Sequence, residues 1–189
     1  MSPRRATEPG KGMLQVEWPM FGELSRVLAL RVAREYDPEI ILGVATAGVV
    51  PGAVIAAILG REFHSILVSR HLRTVTKRAE PAVLASAPAA VRGRRVLIVD
   101  ETCDTGDTLR LAIASVVEAG AGEIRTAVGF KTGNYTPDFH ALATESEIVL
   151  PWDTEVLVKG ALLPNQNTSR YPDGMPAAAK LYDCRIASS

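Results

Sequence analysis

The residues best suited to chemistry lie in the stretch RRVLIVDETCDTGDTLRLA, from Arg94 to Ala112. Its apolar first half is typical of a buried strand, and it leads directly into two adjacent acids, Asp100 and Glu101. A short polar stretch with one glycine follows and precedes a helical pattern. Because burying an unpaired carboxylate costs free energy, we predict that this loop faces solvent or a ligand that uses its charges.

The polar stretch after the acids could hold a phosphate group. It lies where the chain enters a helix, and the first N–H groups of a helix lack partners and favour an anion. The residues concerned are Thr105, Gly106, Asp107 and Thr108. The neighbouring carboxylates of Asp100 and Glu101 could bind ribose hydroxyls or a hard cation such as Mg²⁺. Together these groups suit a phosphorylated sugar, whereas the simpler alternative is a strand–helix loop whose Asp and Thr side chains cap the helix.

Hydrophobic periodicity predicts that strands and helices alternate along the chain. Helices are expected over residues 20–36, 51–59 and 107–119, and strands over 39–44, 63–68, 95–99, 124–131, 148–150 and 154–158. The weakly patterned residues 71–92 and 159–189 are predicted to form a long loop and an irregular tail. Such alternation is typical of an α/β fold with a parallel sheet, in which ligands bind beyond the carboxyl ends of the strands. Residues 45–48 and 100–108 are expected there.

Composition restricts the functional class. The chain has 189 residues, which fits one domain, and its 21 basic and 21 acidic residues give a net charge of zero, which argues against nucleic acid as a partner. Two cysteines are too few for a framework of several disulfides, and a cytoplasmic location is expected. Residues 40–60 lack charge and are long enough to span a bilayer, but their glycines and Pro51 favour a strand, a turn and a helix. No membrane partner is therefore expected, and the polar residues 1–12 do not have the pattern of a signal peptide.

The segment VLIVDETCDTGDTL resembles the signature with which type I phosphoribosyltransferases bind 5-phosphoribosyl 1-diphosphate (PRPP): an apolar strand, two acids, two variable residues and Asp-Thr-Gly-x-Thr. Glu101 stands where aspartate is commoner in the family, which keeps the charge. The resemblance implies that PRPP is bound by Asp100, Glu101, Thr102, Cys103, Asp104, Thr105, Gly106, Asp107 and Thr108. It also implies Mg²⁺ near Asp100 and Glu101, and a catalytic role for Asp104 beside the acceptor base.

Residues 45–48 resemble the pyrophosphate loop of the same family. The loop residues are Ala45, Thr46, Ala47 and Gly48, and the Arg or Lys that purine-salvage members often carry is missing. Backbone N–H groups and the Thr46 hydroxyl could still bind pyrophosphate oxygens. In the family this loop often contains a cis peptide bond, and Ala45–Thr46 is the matching bond.

The segment from GFKTGNYTPDF to EIVLPWD resembles the base-binding end of bacterial and archaeal 6-oxopurine phosphoribosyltransferases. By that resemblance Lys131 contacts the purine O6, Ile148 offers backbone groups to the base edge, and Glu147 occupies the position of a stacking aromatic residue. The family's long loop closes over the active site, and its basic candidates in this chain are Arg70, Arg73, Lys77 and Arg78.

The resemblance implies a type I phosphoribosyltransferase-like fold, a parallel sheet flanked by helices with a small hood and irregular tails. The expected domain covers residues 15–160, between an N-terminal arm (1–14) and a C-terminal tail (161–189). The implied reaction transfers the phosphoribosyl group of PRPP to a nucleobase, expected to be a 6-oxopurine, with release of pyrophosphate. A homodimer or a larger homo-oligomer is also expected.

Three alternatives remain open. Orotate or another base could be the acceptor, because the loop at 45–48 lacks the cation that purine-salvage members often carry. The chain could instead be a regulator that binds PRPP or a nucleotide without turnover, which the lack of a cation at Thr46 and of an aromatic residue at Glu147 would favour. A third alternative is a nucleotide-binding domain of a different α/β fold.

Overall fold

Three α-helices, ten strands and two short 3₁₀ helices (Ala89–Val91 and Pro151–Asp153) form the described part of the chain, which comprises residues 12–71 and 77–165 of a computed structural model. The helices are α1 (Trp18–Glu35), α2 (Val49–Leu59) and α3 (Asp107–Glu118). The strands are β1 (Met13–Gln15), β2 (Ile40–Ala45), β3 (Glu62–His71), β4 (Lys77–Ala85), β5 (Arg95–Cys103), β6 (Glu123–Lys131), β7 (Phe139–Ala143), β8 (Glu147–Val149), β9 (Glu155–Val158) and β10 (Ala161–Pro164).

A six-stranded sheet in the order β4-β3-β2-β5-β6-β7 organises the molecule. Strands β3, β2, β5, β6 and β7 run parallel, and β4 pairs antiparallel with β3 at one edge. Helix α2 connects the parallel strands β2 and β3, and helix α3 connects β5 and β6, as in βαβ units. The predicted α/β fold with a parallel sheet flanked by helices is therefore confirmed.

Both faces of the sheet are covered, which explains why β2 and the first half of β5 are almost uninterrupted apolar runs. Successive side chains of a strand point to opposite faces. Ile40 and Leu42 accordingly pack with Leu109 of α3, whereas Ile41 packs with Leu28 of α1. This two-sided core fixes the carboxyl ends of β2, β5 and β6 beside one another.

Strand β1 pairs in parallel with β8 in a separate two-stranded sheet, which corresponds to the predicted small hood. An aromatic cluster holds it in place: the ring of Phe21 lies edge to face with the rings of Trp18 and Trp152, at centroid distances of 6.1 and 5.2 Å. The N–H of Glu147 donates to the carbonyl of Gly12 at 2.8 Å, so the start of β8 is fixed by the chain that precedes β1.

The prediction of a long loop after β3 was wrong, because much of that segment forms β4. Its alanines and its proline give a weak strand pattern, yet an edge strand tolerates proline, since one side of it makes no ladder hydrogen bonds. Of the basic residues assigned to this loop, Arg70 lies in β3, and Lys77 and Arg78 lie in β4. Arg73, and the side chains of the other three, lie outside the described part of the structure.

Strand β5 is longer than predicted and includes both acids. It pairs with β6 as far as Cys103, which lies opposite Lys131. Asp100 and Glu101 thus belong to a strand and not to the loop expected over residues 100–108. Cross-strand pairing with β6 outweighs the low strand propensity of the acids.

Strands β1, β7 and β10 were also not predicted, and β10 lies within the segment expected to be an irregular tail. Each is only three to five residues long, which gives little periodicity to detect. The uncharged run at residues 40–60 forms β2, a turn and α2, as predicted. Among the described residues, no helix has the length and apolar character of a membrane span.

Candidate active site

Asp100 is a buried carboxylate at the carboxyl end of the sheet. The residue is only 6% exposed, and its Oδ1 accepts the backbone N–H of Glu101 at 3.0 Å. Burial raises the pKa of this carboxyl well above its ordinary value of 3.8, and the neighbouring Glu101 adds to the rise. A buried carboxylate with a raised pKa in a cleft is typical of a functional site.

The turn at residues 45–48 packs directly against this carboxylate. A β-carbon at Gly48 would lie 2.7 Å from Oδ1 of Asp100 and within 2.8 Å of backbone carbonyls in β2 and β5, so the approach requires glycine. The Ala45–Thr46 peptide bond is cis, which confirms the geometry that the resemblance implied. Thr46 is exposed at the turn. The structure therefore brings the predicted pyrophosphate loop and the first acid together.

The turn between β5 and α3 has the geometry of an anion-binding site. Gly106 precedes α3 in a left-handed conformation, with φ of 80°, and turns the chain into the helix. The hydroxyl of Thr105 donates to the Asp107 carboxylate at 2.7 Å. Backbone N–H groups at a helix start, with glycine and hydroxyl side chains beside them, are suited to a phosphate.

A cavity of about 200 Å³ lies at this turn. It is lined by Asp100 and by residues 102–109. The predicted PRPP-binding residues are therefore neighbours in space, and all of them except Glu101 line this cavity. Glu101 lies half-buried beside them. The cavity combines a helix start with a carboxylate, which is the chemistry expected for a phosphorylated sugar.

Sequence reasoning missed two side chains that hold the turn at residues 104–108, which we call the phosphate turn after its predicted ligand. The ring of Tyr135 lies against Gly106, where a β-carbon would collide with it, and the Tyr135 N–H donates to the carbonyl of Asp104 at 3.3 Å. The guanidinium of Arg110 lies 5.0 Å from the centre of that ring and donates to the carbonyl of Thr105 at 3.0 Å. The sequence signal available was the polar, glycine-containing segment KTGNYT directly after β6.

A second cavity, of about 310 Å³, adjoins the first. It is lined by Thr102, Asp104, Thr132, Glu145, Ser146, Glu147 and Ile148. Two of these residues, Thr102 and Asp104, line both cavities. Glu147 and Ile148, which were predicted on the base side, lie here, and the predicted catalytic residue Asp104 is shared between the two cavities.

Lys131 is not among the residues that line either of these cavities. Its Nζ donates to the carbonyl of Gly133 at 2.7 Å. The next residue, Thr132, does line the second cavity, and its N–H donates to the carbonyl of Cys103 at 2.8 Å. The bond to Gly133 uses one of the three donors of this ammonium group.

Cys103 is buried, and its thiol has low reactivity. Burial raises the pKa of its thiol to about 11, and the charges of Asp100 and Asp104 add to the rise. Since the thiolate is the reactive form of cysteine, this residue is not an activated nucleophile.

The side chains of this site that could ligate a metal suit an ion that is bound together with substrate. Among the described residues, no three His, Cys, Asp or Glu side chains converge on one point. Asp100 and Glu101 offer two adjacent carboxylates, and Mg²⁺ is commonly held by one or two carboxylates plus the phosphates of a substrate. These residues therefore fit the ion that the resemblance implied.

The fold and this site define the class of the protein. Residues 16–159 match the family described as phosphoribosyl transferase domain, and the chain belongs to that family.

Two relatives differ in what their names say they do. The chain is 30% identical over 127 residues to the transcriptional regulator GfcR of Archaeoglobus fulgidus, a match that covers 63% of this chain and 64% of the regulator. The chain thus spans slightly less than two thirds of that regulator's length. It is 26% identical over 146 residues to the xanthine-guanine phosphoribosyltransferase of Gluconobacter oxydans, which covers 75% of this chain and 85% of the relative.

Solved structures agree on the fold. The purine phosphoribosyltransferase of Pyrococcus horikoshii is 29% identical, with a TM-score of 0.66, and the match covers 78% of this chain and 98% of that structure. The xanthine-guanine-hypoxanthine phosphoribosyltransferase of Helicobacter pylori is 17% identical, with a TM-score of 0.60 over 73% of this chain and 92% of that structure, and it supports the fold alone.

Proposed function

We propose that this protein transfers the 5-phosphoribosyl group of PRPP to a ring nitrogen of a purine base and releases pyrophosphate. The observation that carries the proposal is the pair of adjoining cavities that share Thr102 and Asp104. A group-transfer enzyme must hold a donor and an acceptor side by side with their reacting atoms close together, and two cavities with a common wall supply that arrangement.

The first cavity is suited to PRPP, the donor of the phosphoribosyl group. The 5′-phosphate would lie on the turn at residues 104–108. The backbone N–H groups at the start of α3 and the hydroxyls of the turn would donate hydrogen bonds to it. The carboxylates of Asp100 and Glu101 would accept hydrogen bonds from the ribose hydroxyls. The pyrophosphate group would lie on residues 45–48, which contact Asp100. Mg²⁺ held by the carboxylates and the substrate would neutralise charge on the leaving group.

In this reaction the bond between ribose C1 and a pyrophosphate oxygen breaks, the oxygen keeps the electron pair, and the base nitrogen forms the new bond to C1. Positive charge develops on the ribose ring, and carboxylates fixed beside it would stabilise that charge. Asp104 is exposed at the boundary of both cavities. It would accept a hydrogen bond or a proton from the incoming base.

A second candidate function is the binding of PRPP or a nucleotide as a signal, without turnover. The similarity to the regulator GfcR favours it. So does Thr46, which stands at the position where purine-salvage members often carry a cation.

Pyrophosphate release with a panel of bases separates the two candidates. Purified protein with PRPP and Mg²⁺ is assayed with guanine, hypoxanthine, xanthine, adenine and orotate, and the affinity for PRPP is measured by calorimetry. Release with one or more purines supports the transferase. Binding of PRPP without release for any base supports the regulator. Absence of PRPP binding rejects the transferase and leaves only a regulator that binds a nucleotide. Sedimentation analysis of the same sample tests the homo-oligomer that we also propose.

A further inference from the structure

Asp104 is exposed and lines both cavities. Within residues 12–71 and 77–165, its carboxylate forms no hydrogen bond or ion pair. Its oxygens are therefore free to accept a hydrogen bond or a proton from a ligand, as the proposed reaction requires. Since no polar partner in these ranges fixes the direction of the carboxylate, packing must fix it.

Gly133, in the loop after β6, packs directly against this carboxylate. A β-carbon at Gly133 would collide with Oδ1 of Asp104, so the carboxylate occupies the place that a side chain at position 133 would take. The same carbon would lie 2.5 Å from the carbonyl oxygen of Asp104 and 2.8 Å from the carbonyl carbon. The φ of Gly133 lies outside the left-handed region. Glycine is therefore required here by the close approach of Asp104 and not by the conformation of the loop.

Hydrogen bonds on both sides of Gly133 fix the loop against the end of β5. The N–H of Thr132 donates to the carbonyl of Cys103 at 2.8 Å. The N–H of Tyr135 donates to the carbonyl of Asp104 at 3.3 Å. Because the chain is tied down before and after it, Gly133 cannot move away from the carboxylate without breaking these bonds. The contact between Gly133 and Asp104 is thus preorganised.

Building on the proposed function, we propose that Gly133 is a positioning residue, which directs the carboxylate of Asp104 toward the acceptor base. The backbone of Gly133 closes one side of the carboxylate, and the two cavities lie on its open side. A group that exchanges a proton with a substrate must lie within about 2.6–3.2 Å of the atom concerned. A misplacement of about 1 Å can lower a rate by about 10²-fold, so a methyl group at position 133 should be costly for catalysis.

The test introduces Gly133→Ala into the wild-type chain and into Asp104→Asn, and measures kcat with PRPP and the best base. In the wild-type chain the methyl group should lower kcat by about 10- to 100-fold. In Asp104→Asn the group that exchanges the proton is already absent, so the same methyl group should lower kcat by less than about threefold. Its clash with the carbonyl of Asp104 should lower stability and PRPP affinity equally in both chains, so the comparison removes that effect.

Gly122→Ala is the matched control for a backbone clash that does not touch Asp104. Gly122 precedes β6, at the end of the strand opposite the two cavities, and its β-carbon would lie 2.8 Å from the carbonyl oxygen of Gly93. This variant should lower the unfolding midpoint, while its kcat stays within about twofold of wild type, because distant sites act independently.

Lys131→Met tests the same positioning without a new clash, should Gly133→Ala fail to fold. It removes the hydrogen bond from Nζ of Lys131 to the carbonyl of Gly133, at 2.7 Å. An effect that passes through Gly133 to Asp104 should lower kcat by about 3- to 10-fold in the wild-type chain and be lost in Asp104→Asn. A direct contact of Lys131 with the base would instead lower kcat/KM equally in both chains.

The outcomes for this inference and for the proposed function are separable. An equal loss of kcat in both chains, or no loss in either, would overturn the inference while leaving the transferase intact. If wild type turns over no base, the proposed function fails, and crystal structures of wild type and of the variant that folds then decide. A displacement of the Asp104 carboxylate by about 1 Å or more supports positioning by Gly133, and a carboxylate that keeps its place overturns it.

Discussion

Gly48 and Asp100 touch across the carboxyl end of the sheet, so that a β-carbon at Gly48 would stand 2.7 Å from Oδ1 of Asp100. The contact joins the turn after β2 to the end of β5. It encloses a carboxylate that is only 6% exposed and whose pKa is raised by that burial. The two segments with which the proposed reaction would hold pyrophosphate and ribose are therefore one packed unit.

Gly48→Ala should disrupt this unit. The added carbon would also lie 2.6 Å from the carbonyl of Val44 and 2.8 Å from that of Val99, and backbone atoms in a buried sheet cannot move aside cheaply. We expect a loss of about 1–3 kcal/mol in unfolding free energy and loss of PRPP affinity, measured by denaturant titration and calorimetry. Gly22→Ala is the control, because a β-carbon at Gly22, within α1, meets nothing within 4 Å and alanine favours a helix. Unchanged stability and PRPP affinity in Gly48→Ala would contradict the prediction.

Asp100→Asn should stabilise the free protein at neutral pH while weakening PRPP binding. The pKa of Asp100 in the folded chain lies above the ordinary value of 3.8, so the protonated form is favoured by folding. Its stabilising contribution is complete below about pH 3.8 and is lost as pH rises through the folded-state pKa. Asparagine does not ionise, so the variant should not lose this stability as pH rises.

The measurement is the difference in unfolding midpoint between Asp100→Asn and wild type as a function of pH. The variant should melt higher near pH 7, and the difference should shrink as pH falls toward 3.8. Glu118→Gln, at the exposed end of α3, serves as the control for removal of one negative charge. A variant that is less stable than wild type at pH 7 would show that the charge of Asp100 is satisfied in the free protein.

The sheet and the phosphate turn could be predicted from sequence because their signals are local. The apolar run of β5, the glycine at 106 and the pattern of α3 lie within one short stretch. Strand β4 could not be predicted, because its pairing with β3 across residues of low strand propensity is a tertiary effect. The position of Tyr135 over Gly106 was equally hidden, since it depends on how the segment after β6 folds back on the turn.

Asp104→Asn should separate catalysis from donor binding. Asparagine keeps the size of the side chain, but it removes the charge and the capacity to exchange a proton. Because Asp104 lines both cavities, its loss should act mainly in the transition state. We expect kcat to fall by about 10²-fold or more with the best base, while the dissociation constant for PRPP changes only a few-fold. Steady-state kinetics measures kcat, and calorimetry measures the dissociation constant. Normal turnover of the variant would contradict the prediction and show that Asp104 has only a structural role in the turn.

Gly106→Ala should lower the free energy of unfolding for two separable reasons. The residue has φ of 80°, which L side chains adopt at a cost of about 1–2 kcal/mol, and its β-carbon would collide with the ring of Tyr135. Gly60→Ala isolates the first cost, because Gly60 has φ of 63° and a β-carbon there meets nothing within 4 Å. We expect Gly60→Ala to cost about 1 kcal/mol and Gly106→Ala about 2–5 kcal/mol in unfolding free energy.

A double-mutant cycle between Gly106→Ala and Tyr135→Ala measures the second cost. Removing the ring gives the new methyl group room, so the double variant should be more stable than the sum of the single effects by about 1–3 kcal/mol. The backbone cost should remain, and the double variant should still cost more than Gly60→Ala, because the β-carbon of residue 135 stays 2.9 Å from the new methyl group. Additive effects, with a coupling below about 0.5 kcal/mol, would mean that Tyr135 does not hold the phosphate turn, since residues in contact are expected to exceed that value.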